Sequence, residues 1–340
     1  MTVALAPRAV VVHRRSELDE LVDRHGTRGQ VEFFLRTRGR TLAEVQERHD
    51  ALADALARTR AAIPVDWRRG EVERADLHRF AFDPEDVVLV VGPDGLVANT
   101  AKYVGGQPVV GVDPEPGRNP GVLVRHRAAT VPAVLAAVAG GRARVEQRAL
   151  VRAVVDDGTR LDALNDVFVG HRSHQSARYR LRAGDAVERQ SSSGIVVATG
   201  TGATGWAASL ARGRADAPPL PAPDAATLSW FVREAWPSPT TGAELTAGLL
   251  EPGARLEVVV ESDALVVFGD GLEADRLTAT WGQTVTLDVS ERRLHLGVAL
   301  AHPDVTGFAS YDVRLASVAA IHGLTVVSPG LPDRWWDAAA

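Results

Sequence analysis

The spacing of apolar positions divides this chain into two kinds of sequence. In the first part, Ala9 to His13 (AVVVH) is a short apolar run, the mark of a buried strand. Thr41-Leu-Ala-Glu44 has the form of a capping box. Behind it Leu42, Val45, His49, Leu52 and Leu56 recur at spacings of three and four, which predicts a helix with one buried stripe. Val87 to Val91 (VVLVV) is apolar throughout and runs into Gly92, as in a parallel strand covered on both faces. A helix over Leu96–Val104, a strand over Pro108–Val112 and a helix over Val131–Ala139 follow. Pro132 stands in the first turn of that last helix, and Gly140 and Gly141 stand past its end. Strands alternating with helices predict an open α/β sheet.

The rhythm changes near Gly141. Short β-rich runs follow: Arg144–Val155, Asp166–Gly170, Arg178–Arg182, Gly194–Ala198, Leu256–Val260, Ala264–Phe268 and Thr284–Val289. Turn residues separate them, as in an all-β domain. Ala217–Pro223 (APPLPAP) reads as a surface loop within it. The expected fold is an N-terminal open α/β, Rossmann-like domain over 1–141 and a β-rich, β-sandwich-like domain over 142–290. A C-terminal segment, 291–340, with Trp335 and Trp336 near its end, is expected to pack back on the first domain.

Length and composition narrow the chemistry. At 340 residues the chain accommodates two domains. Its net charge of −5 gives no overall attraction to nucleic acid or anionic membrane, so any phosphate site must be built locally. The absence of cysteine excludes disulfides, thiolate metal sites and a cysteine nucleophile. No apolar run approaches the roughly 18 residues of a membrane helix, and no signal-peptide pattern is seen. These features predict a cytoplasmic protein. Lys102 is the only lysine among the basic residues, a bias that GC-rich codon usage accounts for.

Three segments could carry chemistry. Gly92-Pro-Asp-Gly95 directly follows an apolar strand, where ligands of open α/β sheets bind. Glycines let backbone approach a phosphate, and an Asp there can accept a proton or hold Mg²⁺. Pro-Asp-Gly is equally an ordinary turn. Asn165-Asp166, at the entry to a strand, can bind ribose hydroxyls or amides, or simply turn the chain. Thr199-Gly-Thr-Gly-Ala-Thr-Gly205 lies between a strand and a helix that carries Ser209. Such a turn bares N–H groups and hydroxyls, often to phosphate. It has no lysine, so it is not a Walker loop, and its glycine offsets are not those of a dinucleotide fingerprint. Two weaker features are His171-x-x-His174, which lacks a third ligand for zinc, and Phe268-Gly-Asp-Gly271, a hairpin turn whose Asp270 could close over a substrate.

In this order and spacing, the three segments resemble the NAD kinase family. Its Gly-Gly-Asp-Gly-Thr motif is matched by Gly92-Pro93-Asp94-Gly95-Leu96. Its Asn-Glu pair is matched by Asn165-Asp166, and its Thr-Pro-Thr-Gly-Ser-Thr-Ala-Tyr segment by Thr199 to Trp206. The likeness is greatest to the mitochondrial-type branch. It rests on Val110–Asp113 through Arg118 to Gly121, on Leu164–Gly170 with Ser176–Tyr179, and on Ser192–Gly194 through Trp206, with Lys102 also in place. The resemblance covers about Val87 to Leu272. It implies a two-domain kinase that transfers the terminal phosphoryl group of ATP to the 2′-hydroxyl of the adenosine ribose of NAD with Mg²⁺. Asp94 would be the catalytic base or orienting group. Asn165, Asp166, Thr204, Gly205 and Ser209 would bind NAD, and Gly92, Gly95, Thr199, Thr201 and Gly202 would form the phosphate turns. A homo-oligomer, a dimer, is expected.

The departures fall mostly on the donor side. Pro93 removes an N–H donor from the phosphate turn, Leu96 removes a hydroxyl, Asp166 is one methylene shorter than Glu, and Ala203 replaces a serine. They keep two alternatives in view: a non-catalytic NAD- or nucleotide-binding homologue, and a lipid or other small-molecule kinase of related plan.

Overall fold

The computed structural model describes residues 7–118, 121–300, 307–309 and 325–327. The chain falls into two compact units, residues 1–132 with 145–298, and residues 133–144 with 299–340.

In the first unit, β1 (Arg8–His13) buries its central residues. Three helices separate it from its parallel neighbour β2 (Arg68–Glu73): α1 (Glu17–His25), α2 (Arg28–Arg36) and α3 (Leu42–Ala62). The capping box predicted at Thr41 and Glu44 starts α3, with Val45 and Leu56 buried on its inner stripe. Helices α1 and α2 carry their own caps, Ser16 with Asp19 and Thr27 onto the Gln30 N–H. Nine residues each are too few for a helical repeat to stand out, so the sequence pattern passed over them. Strand β3 (Asp86–Val91), buried at every position, leads through Pro93 into α4 (Asp94–Ala101) and then β4 (Pro108–Asp113). The helix thus begins two residues before Leu96 and ends before Val104. The parallel order is β2-β1-β3-β4, with β5 (His126–Arg127) beside β4.

After α5 (Val131–Ala139) come β6 (Ala143–Val155), β7 (Arg160–Ala163), β8 (Asp166–Gly170), β9 (Ala177–Ala183), β10 (Ala186–Ser192) and β11 (Gly194–Ala198). Helix α6 (Trp206–Arg212) and the strands β12 (Leu228–Arg233), β13 (Ala247–Leu250), β14 (Leu256–Val260), β15 (Ala264–Gly269), β16 (Leu272–Thr280) and β17 (Thr284–Leu300) complete the series. The segment Ala217–Pro223 lies in the loop before β12. Six strands form an antiparallel sheet in the order β13-β12-β11-β8-β15-β16. Its Val167, Ile195, Val197 and Trp230 pack with Tyr179, Leu181, Leu256 and Leu287 of the other sheet in one core. Period-2 alternation in strands such as β9 and β14 supplies that inner face.

The region is therefore α/β at its N-terminal side and β-rich after it, with two main sheets. The larger sheet joins them. Its order is β10-β9-β14-β17-β4-β3-β1-β2, and β17 places His295 and Leu296 parallel to Pro108 and Val109. Residues 291–298, expected in a C-terminal segment packing on the first domain, do lie against its β4, but as a continuation of this long strand rather than as a separate segment. The second unit holds most of α5 and, among the described residues, the parallel pair β18 (Gly307–Ala309) and β19 (Thr325–Val327). Trp335 and Trp336 lie outside the described residues. No helix among the described residues is long and apolar enough to cross a membrane.

Candidate functional site

The carboxyl end of β3 sets the first wall. Asp94 opens α4, and its carboxylate accepts the N–H groups of Val122, Leu123 and Val124, each at 2.9 Å. Gly111, inside β4, makes this possible. A Cβ there would stand 2.3 Å from the Leu123 carbonyl oxygen, so only glycine lets that loop lie over the strand. Leu96, which replaces a hydroxyl in the family pattern, is buried in the α/β core with Val97 and Val88. It serves packing and offers nothing to a ligand. The Gly92 N–H is bonded to the Val112 carbonyl at 3.1 Å, while Gly95 is exposed at the first turn of α4.

The second wall is the turn at Asn165-Asp166, between β7 and β8. Two long-range clamps hold it. The Asp270 carboxylate accepts the N–H groups of Leu164 at 3.0 Å and Asn165 at 2.7 Å. From the other side the buried Thr199 hydroxyl donates to the Leu164 carbonyl at 2.6 Å, and the Thr199 N–H donates to the Asn165 carbonyl. The Thr199 oxygen also accepts the N–H groups of Thr201 and Gly202, at 3.0 and 3.2 Å. These two N–H groups are thus already bonded, which corrects the expectation that the turn bares them to phosphate. Gly202 lies so close to Asn165 that a Cβ would meet its carbonyl oxygen at 2.2 Å. Trp206, at the start of α6, stacks on Phe168 of β8 and fixes the far end of the turn.

Between these walls lies a cleft of about 200 Å³. Asp94, Asn165, Asp166, Thr201, Gly202, Thr204 and Gly205 line it, with Val122 and Leu123 of the loop that grips Asp94. Seven residues singled out in the sequence are thereby brought together. Gly92, Gly95, Thr199 and Ser209 stand outside that lining, Ser209 on the exposed side of α6. Thr201 is 4% exposed, and its hydroxyl has no hydrogen-bond partner.

Two buried carboxylates at this turn are raised in pKa. Burial pushes Asp166 up to about 7, helped by the negative charge of Asp270. Asp270 itself is pushed up to about 6 by burial, against the opposing pull of its bonds to Asn165 and Leu164 and of the Lys102 charge. The cleft lining contains no lysine, arginine or histidine. It suits hydroxyl, amide or cationic groups, and a polyphosphate only in company with its own cation. Among the described residues no three His, Cys, Asp or Glu side chains gather as metal ligands, and Asp94 is committed to three N–H groups. The donor set does not fit a resident Mg²⁺.

No protein-family model matches this chain, and no curated protein matches it. The site therefore stands on its own geometry. Three contributors were partly or wholly hidden in the sequence. In the sequence Asp270 reads as a hairpin residue that could close over a substrate; the structure instead shows it holding the Asn165 turn, across 105 residues. Val122 and Leu123 gave no signal at all, because they contribute backbone. His171 and His174 lie in an exposed bend, where the Nδ1 of His171 accepts from the Ser173 N–H at 3.1 Å.

Proposed function

We propose that this chain is an NAD kinase, transferring the terminal phosphoryl group of ATP to the 2′-hydroxyl of the adenosine ribose of NAD. The observation that carries this reading is the convergence of three distant segments, at Asp94, at Asn165-Asp166 and at Thr201–Gly205, on one cleft beyond a parallel strand. Phosphoryl transfer asks mainly for positioning and charge neutralisation, so few side chains are needed. Asp94, rigidly held by its loop, orients the hydroxyl. Asp166, with a proton affinity near neutrality, is placed to take up the hydroxyl proton as the new P–O bond forms and ADP leaves. Asn165, whose side chain makes no hydrogen bond within the described chain, and Thr201 and Thr204 supply polar groups to ribose or amide. Mg²⁺ enters as the companion of the triphosphate, part of the donor, and no step is assigned to a protein-bound ion.

Incubation with NAD, ATP and Mg²⁺ tests the reading by the appearance of NADP. A second reading, a non-catalytic NAD-binding protein, is favoured by the three N–H groups that already occupy the Asp94 carboxylate and by Pro93. Calorimetric binding of NAD without any NADP formed would select it.

A further inference from the structure

The chain holds 38 Lys and Arg residues, and Lys102 alone is lysine. Its side chain is 5% exposed at the C-terminal end of α4. The ammonium donates to the Gly269 carbonyl at 2.9 Å and to the Asp275 carboxylate at 3.0 and 3.3 Å. Gly269 ends β15 and Asp275 lies on β16, so Lys102 grips both arms of one hairpin. The two-residue turn between them is Asp270-Gly271, at φ of 55° and 67°. Both values belong to a type I′ turn, for which Asp-Gly is a favoured pair. Here Asp270 is held at both ends. Its carboxylate grips the N–H groups of Leu164 and Asn165, and its own N–H donates to the Asp166 carbonyl at 3.0 Å. An unbroken series of bonds runs from Lys102 through the hairpin to the backbone of Asn165-Asp166. Helix α4 therefore carries a cleft carboxylate at its first residue and this anchor just past its last.

We propose that Lys102 is a positioning residue for the cleft: by holding the β15–β16 hairpin on the end of α4, it keeps Asp270 on the Leu164-Asn165 backbone and so sets where the Asn165 and Asp166 side chains stand relative to Asp94. An ammonium is compact and can direct its donors to one carbonyl and one carboxylate in a closed slot. A planar guanidinium is wider and forks its donors, so arginine there would push the hairpin away. Codon usage accounts for the many arginines; the slot accounts for this lysine. The part of the inference that concerns NAD rests on the kinase reading, and the part that concerns the Asn165 turn does not.

Amide hydrogen exchange on the full chain tests the positioning directly. In Lys102→Met, exchange at Leu164 and Asn165 should quicken by about tenfold or more, the loss expected when charge-assisted bonds weaken, with β1 and β3 unchanged. Asp275→Asn, a milder change, should move the same amides in the same direction. Because the chain has no cysteine, Lys102→Cys provides a unique thiol. Alkylation of the unfolded variant with 2-bromoethylamine, in which the thiolate displaces bromide to form a thioether, restores an ammonium at nearly the original reach. The refolded product should recover slow exchange, and Lys102→Arg should not. NAD affinity by calorimetry should fall about tenfold in Lys102→Met, at a melting temperature within a few degrees of the parent. Unchanged exchange at Leu164 and Asn165 in Lys102→Met, or equal recovery with arginine, overturns the proposal. If the parent binds no NAD, the kinase reading fails, while the exchange measurements still decide the role of Lys102.

Discussion

Asp94 and Asp166 face one cleft from opposite walls, yet the fold makes them different reagents. Asp94 accepts three backbone N–H groups on its carboxylate, two on Oδ1 and one on Oδ2. That arrangement makes a stiff orienting group. Asp166 is half-buried, faces the charge of Asp270, and accepts no hydrogen bond to its carboxylate from the described residues. Burial without compensation raises its proton affinity into the working range. Side-chain type alone does not assign acid, base or scaffold roles; the donors aimed at each oxygen do.

Substitutions separate the two roles. Asp94→Asn should have the largest effect, because an amide nitrogen would face N–H donors from the Val122–Val124 loop. NADP formation is expected to fall by about 10²–10⁴, with NAD still bound, as read by turnover and calorimetry. Activity within a few-fold of the parent would remove Asp94 from the mechanism. Leu96→Thr should cost about 2–4 kcal/mol of stability in denaturant titration, since it cavitates the core and buries a hydroxyl. No gain in ATP affinity should accompany it, and a gain would return Leu96 to the ligand side.

The next effect concerns pH. Asp166 has a native value of about 7, above the ordinary value for an unfolded chain, so the native state binds the extra proton between the two. Its burial therefore costs stability progressively as pH rises from about 4 to 7, and fully above that. Asp166→Asn should stabilise the protein more at pH 8 than at pH 4, by up to about 4 kcal/mol, read as a larger rise in melting temperature at pH 8. Equal shifts at both pH values would show an ordinary carboxylate. The smallest stability effect is expected for Thr201→Val, which removes a buried hydroxyl with no partner. The ligand-free protein should hold its stability or gain slightly, while NAD affinity drops about tenfold. Unchanged affinity would show that the hydroxyl meets no ligand.

Much of the fold was legible because its signals are local. The runs Asp166–Gly170, Gly194–Ala198 and Leu256–Val260 are strands with the bounds read from the sequence. The Thr41-Glu44 box starts its helix, and Asp270-Gly271 forms the hairpin its residues announce. Each of these depends on backbone preference and side-chain alternation within about ten residues. The motifs of the cleft were likewise visible as residue types. Their roles were not, because contacts across large sequence separations decide them. Gly111 admits a loop onto Asp94, Asp270 clamps the Asn165 turn, and Thr199 turns inward to consume the N–H groups of its own loop. The expectation of distinct α/β and β-rich domains missed the joining strand for the same reason: β17 reveals its parallel partner only when β4 lies beside it. Local sequence determined which segments become strands, helices and turns. Tertiary packing decided which polar groups were already satisfied, and so which were left for chemistry.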